Sequence, residues 1–162
     1  MAKVYISLGT NLGNKVQNLK NANVEIELNC GIVKQKSSIY SSAPWGFESF
    51  NNFLNQVILV ETNLSPQELI HELLKIETSF GRNRAANDYQ DRIIDLDILF
   101  YDDLVLSNSD LIIPHPKLHE RNFILEPMRE LSPRFKHPVL GKSIENLAFA
   151  SGDKIKALKY EQ

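Results

Sequence analysis

Residues Phe53 to Thr62 carry a long apolar run, Val57-Ile58-Leu59-Val60, bounded by polar residues. Such a run suits a central strand buried on both faces, since a strand with one face in water would alternate. It is expected to pair with the strand before it, Ile32 to Tyr40, and Val4 to Leu8 and Ile93 to Tyr101 are further β-prone stretches. Asn14 can cap a first helix in which Val16, Leu19, Ala22 and Ile26 recur at helical spacing. Ser65-Pro66-Gln67-Glu68 has the form of a capping box with proline at the first helical position. Leu69, Ile70, Leu73, Leu74 and Ile76 follow as a buried stripe that Phe80 extends, and Gly81 offers a left-handed stop.

The order β-α-β-β-α-β predicts an α+β, ferredoxin-like core: an antiparallel sheet with helices on one face. The loop Ser41 to Ser49 contains proline, and Arg82 to Asp91 is too hydrophilic to pack. After the strand ending at Tyr101 come short β-like pieces near Leu104 and Leu111, then Pro114-His115-Pro116. A helix is expected from about Glu120, including Phe123-Ile124-Leu125 and disturbed by Pro127. The last thirty or so residues form a C-terminal extension with weak signals. A chain of 162 residues with 43% apolar content is expected to be a single domain over residues 1–162.

Eighteen basic against twenty acidic side chains leave a formal charge of -2, which speaks against a general nucleic-acid or membrane binder and makes any anion site local. Cys30 is the only cysteine, so neither an intramolecular disulfide nor a thiolate metal cage can form. With no apolar stretch long enough to span a bilayer, a cytoplasmic monomer is expected.

In Ile93-Ile94-Asp95-Leu96-Asp97-Ile98-Leu99-Phe100, alternation puts Asp95 and Asp97 on one face, with α-carbons about 6.5 to 7 Å apart. Ordinary amphipathic alternation, with both acids in water, produces the same pattern. Ile93, Leu99 and Tyr101 share that face by the same count and suit a partly desolvated cleft better. Two such charges repel by roughly 3 kcal/mol at an effective dielectric near 20, about two pKa units, and call for a cation. Oxygen ligands without histidine or cysteine favour magnesium, which completes its shell with water and substrate phosphates.

Arg82, Arg84 and Arg92 flank the acidic pair, and a guanidinium grips phosphate oxygens in a planar fork. Arg121 follows the rigid element around His115. His115 and His119 do not make a zinc pair, because Pro116 forbids ordinary helical spacing and no third ligand stands nearby. Trp45, Phe53 and Phe123 are candidates for stacking on a flat heterocycle, and Asn55, on the same side of its strand as Phe53, can donate to and accept from a ring edge. Any of these phenylalanines can equally be core. Gly9-Thr10-Asn11-Leu12-Gly13 sits where a phosphate loop would but lacks its lysine, and reads as a plain turn.

Together, Gly9 to Gly13, Glu77, Gly81-Arg82-Asn83-Arg84, Arg92 to Leu99, Pro114-His115-Pro116, Arg121 to Leu125 and Glu130-Leu131-Ser132-Pro133 resemble the 6-hydroxymethyl-7,8-dihydropterin pyrophosphokinases of folate synthesis. The resemblance extends from Val4 to about His137. It implies transfer of pyrophosphate from ATP to the pterin hydroxymethyl group, with two Mg2+ ions on Asp95 and Asp97. It implies a pterin stacked between Phe53 and Phe123, its edge read by Asn55, with Ser42, Ala43, Trp45 and Asp95 also on the pterin side. Arg82, Arg84, Arg92, His115 and Arg121 match residues that hold or polarise the ATP phosphates, and Ile98 lies beside the adenine. Arg82, Arg92 and Asp97 carry the catalytic roles, with Asp97 or a metal-bound water as proton acceptor. Gln90-Asp91 stand where glycine-proline is common. A magnesium-dependent phosphohydrolase and a non-catalytic RNA-binding module remain the competing classes.

Overall fold

The structure is a computed structural model that describes residues 1–47, 49, 51–81 and 91–161. Its elements are β1 (Ala2–Thr10), α1 (Lys15–Asn29), β2 (Ile32–Lys36), β3 (Tyr40–Ser42), β4 (Phe53–Thr62), α2 (Pro66–Ser79), β5 (Asp95–Tyr101), β6 (Leu106–Ser107), β7 (Ile112–Ile113), α3 (Asn122–Leu131), α4 (Ile144–Phe149) and β8 (Leu158–Lys159). A 3-10 turn at Leu118–Glu120 precedes α3. The main sheet runs β5-β1-β4-β3-β8, with β2 also on β4, and its pairs are antiparallel.

The apolar run in β4 is buried on both faces, as its composition demands. Ile58 and Val60 join one core with Val4, Ile6 and Leu8 under α1 and α2, and Val57 joins a second with Tyr5, Leu99 and Phe100 under α3 and α4. The two core helices share one face, and α3, with α4 of the C-terminal extension, covers part of the other. Both helix starts follow the sequence: Asn14 accepts from the Gln17 N–H, and Ser65 and Glu68 form the reciprocal capping box. Gly81, at φ 89°, ends α2 as expected.

Three local expectations are corrected. The strand read as Ile32 to Tyr40 is broken into β2 and β3, because Ser37 turns inward: its N–H donates to the Val57 carbonyl and its hydroxyl accepts the Val57 N–H. The third helix runs on past Pro127, the residue expected to disturb it. Pro127 lies inside α3, where burial of Ile124, Leu125 and Met128 against the second core outweighs a proline cost of about 3 kcal/mol. Finally, β5 bulges against β1, Tyr5 facing Phe100 while Ile6 faces Ile98. Leu99 is the extra residue, so Leu99 and Phe100 both enter the second core and Tyr101 turns toward the first, away from the aspartates.

Candidate active site

One end of the sheet is left uncovered by α3, and there a cleft of about 360 Å³ opens. Its floor comes from neighbouring strands: Ser7 and Gly9 of β1, Phe53 and Asn55 of β4, Asp95 and Asp97 of β5. Register fixes their order, since Gly9 faces Asn55 on one side and Asp95 on the other, and Ser7 faces Asp97. Ser42, Ala43, Trp45 and Phe47 form one wall, and His115, Pro116, Lys117, Arg121 and Phe123 the other, with Arg92 at the acidic end.

Asp95 and Asp97 therefore stand side by side facing a cavity rather than bulk water. Burial pushes the Asp97 carboxyl well above the usual range, and Asp95 and then Glu77 add to this against the opposing pull of Arg121. Glu77 is fully buried under β5, where it accepts the Leu96 N–H at 2.8 Å. Arg92 supplies the cation that the acidic pair calls for, its Nη1 lying 2.9 Å from Asp95 Oδ2. Arg121 stacks its guanidinium 4.4 Å from the Trp45 ring centroid and 5.7 Å from that of Phe123.

Asn55 is buried and donates to Ser42 Oγ at 2.8 Å, which fixes its carboxamide in the floor. Phe47 meets Phe53 edge to face, 6.2 Å between centroids. The His115 backbone N–H donates to the Leu99 carbonyl, and its ring Nδ1 accepts the Lys117 N–H at 3.1 Å. Burial first, then Arg121, holds the imidazole down at about 4, so the ring is neutral at pH 7. With Nδ1 used as an acceptor, the ring proton sits on Nε2, which is left to donate.

Among the site residues named from sequence, Ser42, Ala43, Trp45, Phe53, Asn55, Arg92, Asp95, Asp97, His115, Arg121 and Phe123 line this one cleft. Arg82 and Arg84 lie outside the described residues. Ile98 is different: its side chain is buried in the core under α1 and α2, because alternation from Asp97 points it through the sheet. Any contact it makes with a nucleotide is through the backbone of β5, an edge strand. Ser7, Gly9, Phe47 and Lys117 were not singled out as site residues. The signal for the first two was present, since alternation along β1 places small side chains on the aspartate face. A Cβ on Gly9 would lie 3.3 Å from Asn55 Oδ1 and 3.7 Å from the Phe53 ring, so glycine keeps the floor open.

The fold and cleft define an α+β domain with paired carboxylates, guanidinium groups and aromatic walls arranged around one pocket, suited to handling a phosphate-bearing ligand beside a flat one. The sequence model of 7,8-dihydro-6-hydroxymethylpterin-pyrophosphokinase (HPPK) matches residues 5–133, and the chain belongs to that family. It is 39% identical over 145 residues to the 2-amino-4-hydroxy-6-hydroxymethyldihydropteridine pyrophosphokinase of Aquifex aeolicus, covering 90% of this chain and 89% of that one. It is 41% identical over 141 residues to the folic acid synthesis protein fol1 of Pneumocystis carinii, covering 87% of this chain but only 19% of that longer protein. The wild-type HPPK-DHPS crystal structure from Plasmodium falciparum superposes with a TM-score of 0.75 at 18% identity, over 91% of this chain and 44% of that one, and so shares its fold.

Proposed function

We propose that this chain binds ATP and 6-hydroxymethyl-7,8-dihydropterin together in the cleft and transfers pyrophosphate to the hydroxymethyl oxygen, releasing AMP and the pterin diphosphate. The observation that carries this reading is the Asp95 and Asp97 pair facing a cavity walled by aromatic rings and guanidinium groups. Family membership supports the same reaction.

The pterin end of the cleft is the aromatic one. Phe53 and Phe123 offer faces for stacking, Asn55 presents a carboxamide held by Ser42, and Ala43 and Trp45 close the wall. Arg92, Arg121 and neutral His115 take the triphosphate. Arg121 Nε is buried without a hydrogen-bond acceptor among the described residues, a donor that a phosphate oxygen would satisfy. By resemblance Arg82 and Arg84 join them, and the Ile98 backbone lies beside adenine.

Two carboxylates without histidine or cysteine form an oxygen donor set that suits magnesium, and burial first, then Asp95 and Glu77, raise the Asp97 pKa, so a cation bound there would favour its charged form. Asp95 and Asp97 would hold two Mg2+ ions, which when bound supply charge stabilisation at the attacking and leaving oxygens. The hydroxymethyl oxygen attacks the β-phosphorus in line with the departing AMP oxygen. Arg92 offsets charge that develops on the transferred group, a contribution of several kcal/mol, about 3 for one such donor, where water is excluded. Asp97, or a water held by the metal, would accept the hydroxyl proton.

The reading extends to the whole chain, residues 1–162, as one catalytic domain acting as a cytoplasmic monomer on small molecules. No helix among the described residues is long and apolar enough to cross a membrane. Incubation with ATP, Mg2+ and the hydroxymethyl pterin tests the reaction. AMP release that depends on the pterin is expected. Phosphate release without pterin would mark a phosphohydrolase instead, and silence with tight RNA binding would mark a binding module. Replacing both Asp95 and Asp97 by alanine should abolish AMP formation while the circular dichroism spectrum is kept, and retained turnover would refute their role.

A further inference from the structure

The turn between β1 and α1 is tied to both segments that lead into the cleft. Asn11 at its start is 2% exposed and does not line the cleft. Its backbone N–H donates to the Arg92 carbonyl at 3.0 Å, and its Oδ1 accepts the Arg92 backbone N–H at 2.7 Å. Its Nδ2 donates to Asp91 Oδ1 at 2.7 Å and to the Asn51 carbonyl at 3.3 Å. Nearby, Lys15 Nζ reaches the Asn52 carbonyl at 3.0 Å and Asn18 Nδ2 reaches the Ile93 carbonyl at 3.4 Å.

Both side-chain N–H groups and the oxygen of Asn11 are thus engaged by protein partners, and its burial outside the cleft keeps it from a ligand. A buried carboxamide satisfied in this way restrains what it touches. What it touches is the backbone from which Arg92 extends to Asp95 and over Phe53, together with the residues immediately before β4. An arginine side chain has several rotatable bonds, so small freedom at its Cα becomes large displacement at the guanidinium. Misplacement by about 1 Å can cost on the order of a hundredfold in rate.

We propose that Asn11, acting through Asp91 and the Arg92 backbone, is a positioning residue for the transfer reaction, holding the Arg92 guanidinium at the acidic end of the cleft. The catalytic part of this rests on the function proposed above. An aspartate at position 11 is the discriminating variant. It keeps the acceptor for the Arg92 N–H but removes the weaker bond to the Asn51 carbonyl and sets a carboxylate against that of Asp91. Converting Asp91 to asparagine in the same chain restores a donor between the two positions, with its direction reversed.

The test compares wild type, Asn11→Asp and the double variant Asn11→Asp with Asp91→Asn in steady-state turnover. Amide hydrogen exchange at Arg92 in the ligand-free protein is read beside it, with the Leu96 amide, held by Glu77, as internal reference. Asn11→Asp should lower kcat at least about tenfold, in line with lost positioning, with a smaller change in KM for ATP. Exchange at Arg92 should speed up while that at Leu96 is unchanged, and the double variant should recover most of both losses. Unchanged Arg92 exchange, wild-type kcat in Asn11→Asp, or a double variant no better than the single one would overturn the proposal. A wild-type protein that forms no AMP from ATP and the pterin would instead overturn the function, and the exchange comparison would still decide whether Asn11 holds Arg92.

Discussion

Gly9 and His115 show how much of the site is set by single side chains. Gly9 lies in a regular strand, so valine is compatible with its backbone, but the branched side chain would stand against Asn55 and Phe53 in the floor. Gly9→Val should weaken pterin-analogue binding at least about tenfold, read by titration calorimetry, and lower stability by about 1 to 3 kcal/mol, because Asn55 is buried and held by Ser42. His115 makes a different prediction. Its folded-state pKa of about 4 lies below the ordinary 6.5, so between those values the unfolded chain binds a proton that the folded chain refuses. Stability must therefore fall as pH drops through that window and be unaffected by this group above it. Urea titrations of His115→Asn should show a flatter stability profile between those pH values than wild type. Both residues were visible in sequence, yet only His115 was singled out for the site. Proline neighbours advertised it, whereas the significance of an absent Cβ depends on what lies across the sheet.

At the scale of elements, the helix starts were the most legible features because capping is local: donor and acceptor lie within three residues of each other. Ser65→Ala removes one arm of a complete capping box and should cost about 1 kcal/mol in chemical denaturation. Turnover should be unchanged, because Ser65 lies at the end of α2 away from Glu77 and the cleft. Strand β5 was legible in outline only. The facing of Asp95 and Asp97 follows from alternation, but the bulge at Leu99 depends on pairing with β1 and has no signature in a single apolar run. That bulge lets one strand present two acids to the cleft and then two successive apolar side chains, Leu99 and Phe100, to the core beside it. The break between β2 and β3 has the same origin, since Ser37 is drawn inward by hydrogen bonds to Val57, a residue twenty positions away.

Across the whole molecule, the C-terminal extension does more than its weak sequence signals suggest. Ile144 and Leu147 of α4 complete the second core. Asp153 accepts the Asn122 backbone N–H at 2.9 Å, closing the start of α3 from a distance of thirty-one residues, where Arg121 itself provides no side-chain cap. Because Arg121 and Phe123 flank that point, Asp153→Ala should both lower stability, by about 1.5 to 3 kcal/mol for a hydrogen bond to a charged group, and weaken ATP binding severalfold. Thermal melts and nucleotide titration check the two effects, and a loss of stability alone would confine Asp153 to the fold. The sequence by itself determined the order of the core strands and helices in outline, the helix caps, the paired acids and the family, because periodicity, capping and motif spacing are properties of neighbouring residues. Only the tertiary structure decided that α3 and α4 cover the opposite face, that Ile98 turns its side chain away from the cleft, and that Asn11 and Asp153 brace residues far from them. Those outcomes depend on contacts between segments distant in the chain, whose partners are settled when the sheet pairs and both of its faces are buried together.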